Sequence, residues 1–327
     1  MQYAKKTSAK GFVNAILRRA TRETIDFAFA DDVDRISVTT SHPRWLVEKW
    51  AGQFGVEEAE NIAAANNEIP RIAFRISACP GGPLQLNTLP SEFVEGCFIS
   101  ETIDEELLEL SDRGEIYFQE EASQMVAASV RIQNGEHFLD VCAAPGSKAT
   151  QISSKYLLLG SNSRLIIAGD LHYRRVHFMR GNFAAQCIEQ ANLLQYDAVD
   201  SLPFADESFD VVLVDAPCSG TGTIRHNPEI RYFLSSDDFH DLSREQLAIL
   251  QNASKLVKRG GRLFYSTCSM ETEENEAVVA EFLTDNTDFK KTKPNIPDRF
   301  VSDELYAHTF PHIDNMDGFF IAAFERI

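Results

Sequence analysis

The sequence predicts an α/β fold in which a mostly parallel sheet, covered by helices, follows a smaller α+β part. Two observations lead to this prediction. From about residue 112, apolar β-branched segments alternate with amphipathic helical segments, which is typical of parallel strands joined by helical crossovers. Before that point, helical apolar spacings dominate and one short segment has the composition of a strand. The chain has 327 residues, of which 44% are hydrophobic, and this is enough for one large domain and a smaller one.

The N-terminal part is predicted to consist of short elements. The apolar spacing over residues 8–22 predicts a helix, but one too short to form a core alone. The acidic stretch 31–34 predicts a linker. Ser41 as a cap and Pro43 in the first turn predict where the next helix starts. The remaining predicted elements of this part are a helix over 56–66, a strand over 72–76 and a helix over 103–110.

The C-terminal part is predicted to alternate strands and helices. Strands are expected where apolar, β-branched runs occur, at 137–142, 164–169, 189–194, 209–214, 261–266 and 319–324. Helices are expected between them, at about 121–131, 147–158, 173–185, 239–258 and 273–284. In such a sheet, ligands bind beyond the carboxyl ends of the strands.

The composition argues against several classes of protein. A net charge of −18 and a pI near 4.9 disfavour broad, non-specific binding to nucleic acids. No apolar run is long enough to span a bilayer, and the N-terminus does not resemble a signal peptide. The six cysteines are sparse and include no C-x-x-C pair, so we expect neither a disulfide framework nor a metal site. These features predict a protein of the reducing cytoplasm.

Charged residues cluster in four segments. Three of them, 1–22, 172–180 and 225–231, are basic, and each alone is best explained as the solvated face of a helix. Three such clusters in an acidic chain, one of them close to Cys218, favour a local surface for a polyanion. The fourth, the acidic run 271–276, predicts the N-terminus of a helix, where carboxylates oppose the helix dipole.

Two cysteines are placed where chemistry is expected. Cys218 and Cys268 each follow a predicted buried strand, and each is followed by small or polar residues. Two thiols at the ligand-binding edge of the sheet, one of them close to the carboxylate of Asp215, suggest nucleophilic attack on a bound ring or carbonyl. The cysteines that we interpret as small apolar side chains are Cys79, Cys97 and Cys187.

A second group of candidate residues follows the first strand of the C-terminal part. Small residues and a helix start there would let a ligand approach the backbone and meet free N–H groups. The residues of this turn are Cys142, Ala143, Ala144, Pro145, Gly146, Ser147 and Lys148. The turn lacks the pattern G-x-G-x-x-G, so a dinucleotide site is disfavoured.

Two acids follow the next strands along the chain. Asp170 ends the second strand, at the position where nucleoside-binding α/β folds contact the ribose hydroxyls. A role as a helix cap is an alternative for this residue. Asp197 follows the third strand and is a weaker candidate, which could receive an adenine amino group.

Three long motifs together resemble the RNA cytosine-5 methyltransferase family. They are DVCAAPGSKATQ at 140–151, DAPCSGTGTIRHNPEIR at 215–231 and YSTCSMETEENEAVV at 265–279. The segment KGFVNAILR at 10–18 is similar to the last helix of the NusB-like domain in the branch of bacterial small-subunit ribosomal RNA methyltransferase B. The rest of that domain is missing from this sequence. Ser147 stands where the family usually has a second glycine, and because serine is small we expect cofactor binding to survive.

The resemblance implies a Rossmann-like methyltransferase sheet with an antiparallel last strand, S-adenosylmethionine as the cofactor and RNA as the partner. It divides the chain into a helical remnant and linker at 1–34, an RNA-binding subdomain at 35–111 and a catalytic methyltransferase domain at 112–327. The residues that would contact the cofactor are those of the turn 142–148 together with Asp170, Asp197 and Asp215.

The resemblance also implies a role for each thiol. The family's nucleophile is the cysteine of the Thr-Cys-Ser motif, here Cys268, while Cys218 is implicated in product release. Asp215 would meet the N3/N4 edge of the cytosine, and the cations of Lys148 and Arg225 could lower a thiol pKa. The implied substrate is 16S ribosomal RNA. Two alternatives stay open, a tRNA cytosine-5 methyltransferase and a non-catalytic RNA-binding or ribosome-assembly factor.

Overall fold

The N-terminal part of the computed structural model, which describes residues 9–22, 28–77, 88–157 and 165–327, contains short helices and one small sheet. The helices are α1 (Ala9–Ala20), α2 (Asp32–Thr40), α3 (Arg44–Phe54), α4 (Val56–Ala65) and α5 (Glu105–Asp112). The strands are β1 (Ile72–Ile76), β2 (Leu89–Pro90), β3 (Cys97–Ser100) and β4 (Ile116–Phe118). The strands form an antiparallel sheet in the order β2-β3-β1-β4.

Two predictions for this part are wrong. The stretch 31–34 is not a linker but starts α2, because the Asp31 side chain accepts a hydrogen bond from the backbone N–H of Asp34 at 2.8 Å and acids in a first turn oppose the helix dipole. Ser41 is not the cap of α3. It ends α2 in a left-handed conformation with a φ of 58°, and α3 begins after Pro43 without a side-chain cap.

The C-terminal part alternates strands and helices, as predicted. The helices are α6 (Glu121–Ser129), α7 (Ser147–Leu157), α8 (Tyr173–Ala185), α9 (Ile230–Phe233), α10 (Asp238–Lys255), α11 (Glu276–Asp285) and α12 (Pro311–Asp314). The strands are β5 (Phe138–Asp140), β6 (Ile166–Asp170), β7 (Ala191–Gln195), β8 (Phe209–Asp215), β9 (Val257–Thr267), β10 (Phe289–Thr292), β11 (Tyr306–Thr309) and β12 (Phe319–Arg326). Of these, α9, α12, β10 and β11 are elements that the sequence did not predict.

These strands form one sheet in the order β10-β12-β9-β8-β5-β6-β7, with β11 paired to β12. The pairs from β9 through β8, β5 and β6 to β7 are all parallel. The last strand, β12, is antiparallel to β9, which confirms the implied topology. The central strand β8 is apolar and buried from Val211 to Val214, as expected for a strand covered on both faces. The sheet therefore delivers the carboxyl ends of five parallel strands to one edge.

The N-terminal helices pack against the loops that follow β8 and β9. Trp50 of α3 and Ile62 of α4 share a buried apolar cluster with Ile224 and Met270 of those loops. By contrast, α1 buries none of its residues, and its Phe12 is 69% exposed. None of the helices in the described ranges is long and apolar enough to cross a membrane.

Candidate active site

The two predicted cysteines lie together at the carboxyl ends of β8 and β9. These ends are adjacent because Asp215 and Ser266 are partners in the parallel register. The Sγ atoms of Cys218 and Cys268 are 3.2 Å apart. The backbone N–H of Cys268 also donates to Sγ of Cys218, at 3.3 Å. Fifty residues apart in sequence, the thiols thus form one pair in the structure.

The two thiols are not equivalent. The hydrogen bond with Cys268, together with burial and the charge of Glu274, raises the pKa of Cys218 well above its ordinary value. Its thiol form is therefore favoured, and Cys218 can act as a donor in the pair. For this thiol, the expectation that nearby cations lower its pKa is wrong.

The carboxylate of Asp215 is held from two sides beside the thiols. Nζ of Lys148 lies 2.7 Å from its Oδ2, and Oγ of Ser266 donates to its Oδ1 at 2.7 Å. Burial disfavours the charged form of Lys148, but Asp215 and the nearby Cys268 outweigh it and raise the pKa of this lysine. Lys148 is therefore a buried cation that can stabilise negative charge at both groups.

Arg225, the second cation considered for this role, is used elsewhere. Its Nε lies 2.7 Å from Oδ1 of Asp317, and its Nη2 lies 3.3 Å from Oε1 of Glu120. His226 also contacts Asp317, at 2.9 Å. This network fixes the loop after Cys218 to the segments before α6 and β12, and it corrects the expectation that Arg225 acts on a thiol.

The loops of the two thiols are joined by Glu274, a fully buried residue. Its carboxylate accepts hydrogen bonds from the backbone N–H of Ser219 at 2.8 Å and from Gln246 at 2.9 Å. It also accepts from the hydroxyls of Ser219 and Ser269. Because Ser219 follows Cys218 and Ser269 follows Cys268, one side chain holds both loops. Sequence reasoning missed this role, since the acidic run was interpreted as a helix start close to the site and no contact was assigned to its carboxylates.

A second buried acid of that run connects the Cys268 loop to the N-terminal part. Glu271 accepts a hydrogen bond from Nε1 of Trp50 at 3.1 Å and lies 3.5 Å from Nζ of Lys49. Burial raises its pKa to about 7, against the opposing effect of Lys49. Gln53 of α3 also donates to the backbone oxygen of Met270 at 2.9 Å. Helix α3 is therefore a support for the loop that carries Cys268.

The predicted cofactor turn lies between β5 and α7. Its Gly146 has a φ of 98°, and a Cβ there would be 2.9 Å from the side chain of Met179, so this position requires glycine. The backbone oxygen of Ala144 accepts a hydrogen bond from Arg175 at 2.8 Å. The bond between Ala144 and Pro145 is cis. Ser147 and Lys148 are the first two residues of α7.

A cavity of about 350 Å³ lies along the edge of the sheet between this turn and the thiols. The predicted residues that line it are Cys142, Ala144, Asp170, Asp197, Asp215, Cys218 and Cys268. Asp170 is buried, accepts a hydrogen bond from the backbone N–H of His172 at 3.1 Å and lies 3.5 Å from Arg175. Ala143, Pro145, Gly146, Ser147 and Lys148 are not among the lining residues, although they form the turn beside it.

The polar groups that line the cavity fit a nucleoside-like cofactor. Carboxylates at the ends of β6 and after β7 can accept hydrogen bonds from ribose hydroxyls and an amino group. The small side chains of the turn allow close approach. Beneath the turn, Asp140 is fully buried and neither carboxylate oxygen has a hydrogen-bond partner among the described residues. Burial, with Asp215 next, raises its pKa well above the ordinary value, which favours the neutral form of this acid.

Other cavities and cysteines do not add to this site. A larger cavity of about 610 Å³, lined by Met125 and Arg262 among others, contains none of the predicted residues. Within the described ranges, no group of three or more histidine, cysteine or acidic side chains could hold a metal ion. Cys97 is a free, buried cysteine, as predicted, and Cys79 lies outside the described residues. Cys187 is disulfide-bonded, which corrects its interpretation as a simple apolar side chain.

Comparison with known protein families identifies both parts of the chain. A family model described as 16S rRNA methyltransferase RsmB/F matches residues 127–325. A second, described as a Methyltr_RsmF/B-like, ferredoxin-like domain, matches residues 42–79. The first match covers more than half of the chain and includes all three motifs of the resemblance in full.

Relatives and solved structures agree with these matches. The chain is 33% identical to a probable ribosomal RNA small subunit methyltransferase B of Bacillus subtilis (strain 168), over 100% of this chain and 76% of that protein. It is 33% identical to a ribosomal RNA small subunit methyltransferase B of Pseudomonas putida, over 85% of this chain and 65% of that protein. The chain thus spans about two thirds to three quarters of the length of these relatives.

Among solved structures, the fold is similar to that of PH0851, with a TM-score of 0.83, 27% identity and coverage of 97% of this chain and 72% of that one. It is also similar to NSun6 from Pyrococcus horikoshii with SFG, with a TM-score of 0.70 over 87% of this chain and 98% of that one. At 21% identity, the second likeness shows the fold alone. The family matches and the relative that aligns with the whole of this chain show that the chain belongs to the RsmB/F family of S-adenosylmethionine-dependent ribosomal RNA methyltransferases.

Proposed function

We propose that the chain methylates C5 of a cytosine in RNA, with 16S ribosomal RNA as the substrate, through a covalent adduct between Cys268 and C6 of the base. The observation that carries this proposal is a pair of thiols 3.2 Å apart in the wall of a cavity that also presents Asp170, Asp197 and Asp215. A methyltransferase that acts on proteins or small molecules has no need of two thiols.

The chemistry requires a nucleophile because cytosine C5 is too weakly nucleophilic to take a methyl group directly. Addition of Sγ of Cys268 to C6 forms a C–S bond and makes C5 enamine-like. S-adenosylmethionine, when bound, supplies the methyl group that C5 takes. A base then removes the C5 proton, the electron pair restores the C5–C6 double bond, and the C–S bond breaks to release the thiolate.

Cys218 is assigned to the release step. Its raised pKa keeps it a thiol, and its sulfur is in hydrogen-bond contact with Sγ of Cys268. An S–H donor at this position stabilises the thiolate that departs from C6. The pairing therefore gives the two cysteines different roles, in the same assignment that the resemblance implies.

Asp215 and Lys148 are proposed to hold the base. Each carboxylate oxygen of Asp215 already accepts one hydrogen bond, but an ionised carboxylate has about four acceptor sites. Asp215 can therefore also accept from the exocyclic amino group of cytosine. Lys148 pairs with this carboxylate at 2.7 Å, and the nearby Cys268 contributes to the raised pKa of this lysine. Because the base must reach the thiol, the target cytosine has to be unpaired or flipped out.

Transfer of labelled methyl from S-adenosylmethionine to deproteinised small-subunit ribosomal RNA tests the proposal, with tRNA measured alongside. Label recovered as 5-methylcytidine in ribosomal RNA is the expected result. Label in tRNA only would mean that tRNA, and not ribosomal RNA, is the substrate. Cofactor binding without label in either RNA would support the non-catalytic alternative.

The Cys218→Ala variant tests the covalent step separately. Without the S–H donor, we expect the adduct to accumulate as a protein–RNA species that survives denaturing gel electrophoresis, with turnover reduced by about a hundredfold or more. Cys97→Ala, which removes a buried cysteine outside the site, serves as the control. If Cys218→Ala turns over normally and leaves no adduct, its role in release is wrong.

A further inference from the structure

We infer that the exposed face of α8 is a docking surface for the single-stranded RNA that flanks the target cytosine. This α8 face consists of Tyr173, Arg174, His177, Phe178 and Arg180. The inference rests on the proposed function, because it places part of the same RNA substrate. It is carried by the charge, the aromatic spacing and the attachment of this helix.

The α8 face is a cationic surface in an acidic chain. No acid occurs between residues 172 and 188, whereas the net charge of the whole chain is −18. Arg174 and Arg180 are exposed, and neither has an ion-pair partner among the described residues. The neighbouring Arg175, by contrast, is engaged with Asp170 and Ala144. Two cations without carboxylate partners are therefore available to phosphates.

Aromatic rings alternate with these cations at helical spacing. Tyr173 is 68% exposed and Phe178 is 62% exposed. The ring of Tyr173 lies nearly parallel to that of His177, with centroids 6.4 Å apart and an interplanar angle of 23°. Arg174 and Phe178, one turn apart, line a niche of about 270 Å³ whose other wall is Ala144 and Pro145 of the cofactor turn. Cations combined with exposed rings are the features that bind single-stranded RNA, through phosphate contacts and base stacking.

The helix is fixed in place beside the candidate site. It buries Val176, Met179 and Phe183 against the sheet, and Asn182 donates to the backbone oxygen of Pro145 at 2.8 Å. The start of the helix reaches the cavity, where His172 is a lining residue. An RNA strand on the α8 face would thus pass the mouth of the cavity at whose other end the thiols lie.

The α8 face is also continuous with the small N-terminal sheet. The hydroxyl of Tyr117 in β4 lies 3.4 Å from Nδ2 of Asn182. Gly114, just before β4, is so close to the end of α8 that a Cβ there would be 2.4 Å from the backbone oxygen of Ala185. A strand of RNA could therefore contact both parts of the protein, which a local site for a free anion would not require.

Binding of a short unstructured RNA that contains one cytidine, measured by fluorescence anisotropy over a series of salt concentrations, tests this inference. We expect Arg174→Glu to weaken binding and to lower the slope of log affinity against log salt by about 0.7 or more, the value for one lost phosphate contact on single strands. Phe178→Leu keeps an apolar side chain but removes the ring, and we expect about tenfold weaker binding. Arg259→Glu is the matched control, because Arg259 is an exposed arginine near the start of β9, at the opposite end of the sheet.

Crosslinking of the wild-type chain with the same RNA carrying 4-thiouridine gives a readout that needs no variant. Crosslinks to the peptide that contains residues 173–180 are expected. The inference is overturned if the wild type binds no RNA, if Arg174→Glu and Phe178→Leu bind like the wild type, or if Arg259→Glu weakens binding equally. It is also overturned if the variants fail only on ribosomal particles, since that result would identify a protein partner. Methylation is measured separately, so 5-methylcytidine formation can fail or succeed independently of this docking result.

Discussion

The two ends of the cavity are built in opposite ways. At the thiol end, Glu274 receives four hydrogen bonds from three residues, Ser219, Gln246 and Ser269, and thereby holds both cysteine loops. At the cofactor end, Asp140 is equally buried, yet its carboxylate oxygens have no hydrogen-bond partner among the described residues. The hydroxyl of Tyr196, which is also buried, has none either.

The difference indicates that the thiol end is preorganised by side-chain hydrogen bonds and the cofactor end is not. A buried carboxylate with several donors is held rigidly, whereas for one without donors burial disfavours the charged form. The thiols are therefore positioned by the chain itself. The cofactor end is shaped by backbone geometry at Gly146 and by small side chains, and the carboxylates of the buried Asp170 and the exposed Asp197 line its cavity wall.

The largest expected effect is that of Cys268→Ala, which separates the two ends. Because the variant lacks the proposed nucleophile, we expect methyl transfer to fall by about ten-thousand-fold or more. Binding of S-adenosylmethionine, measured by calorimetry, should change less than about threefold, since the cofactor end does not depend on this sulfur. Full activity in this variant would show that the nucleophile is assigned to the wrong cysteine.

Glu274→Gln tests whether the thiol end is positioned by the carboxylate. The amide retains one acceptor oxygen but faces the remaining donors with its own N–H groups, so the two loops should separate. We expect kcat to fall by about a hundredfold, the cost of a misplacement of about 1 Å, and the free energy of unfolding to fall by about 1–3 kcal/mol. The affinity for S-adenosylmethionine should not change.

The acidic run 271–276, which contains Glu274, also offers a matched control for that change. Glu273 contacts Lys49 at 2.6 Å and is partly exposed, so Glu273→Gln makes the same substitution but removes none of the hydrogen bonds that Glu274 makes to the cysteine loops. A purely structural role of Glu274 would lower stability without altering the rate of adduct formation per folded molecule. Equal rates for the two variants would therefore contradict the positioning role.

How far the sequence predicts this arrangement depends on the range of the interactions. Strand ends and helix starts are local patterns, so Cys218, Cys268 and Asp170 could be placed at one sheet edge before the structure was known. The contact between Glu274 and Ser219 joins residues 55 positions apart, and no local periodicity reports it. The misread helix α2 shows the reverse case, in which acids typical of a linker act as a cap and a first turn.

Glu271 lies at the thiol end but, unlike Glu274, is not fully hydrogen-bonded. We therefore expect the pH dependence of stability to report its protonation. Its Oε2 lacks a hydrogen-bond partner among the described residues, and burial raises its pKa from 4.5 to about 7, with Lys49 and Trp50 opposing and Glu274 adding to the shift. A raised pKa means that the folded state binds the proton more tightly. The contribution to stability is thus complete below the unfolded pKa and is lost as the pH rises towards about 7.

Urea unfolding of the wild type and of Glu271→Gln across this range measures the effect. We expect the wild type to lose about 2 kcal/mol more than the variant between about pH 5 and pH 8, because the amide does not titrate. Glu120, whose pKa burial raises to about 7, titrates in both proteins and cancels in the difference. Parallel pH profiles would mean that Glu271 is ionised throughout.

The smallest effect is expected at Ser147. The variant tests whether the backbone, and not the side chain of this residue, determines the shape of the cofactor end. Ser147→Gly restores the glycine usual in the family, but in this turn the positive φ occurs at Gly146 and not at Ser147. The backbone oxygen of Ser147, which accepts from Arg75 at 3.2 Å, is unchanged by the substitution. Calorimetry should therefore show less than about a threefold change in cofactor affinity, with at most about 1 kcal/mol lost in stability from glycine in the helix.

Gly146→Ala is the contrasting variant one residue away. It forces a side chain into the left-handed region and against Met179 at 2.9 Å, which costs of order 1–3 kcal/mol and should weaken cofactor binding about tenfold or more. If the serine-to-glycine change were the more damaging of the two, the hydroxyl of Ser147 would have to contact the cofactor. The site would then be shaped by side chains at both ends, and the contrast between the two ends would not hold.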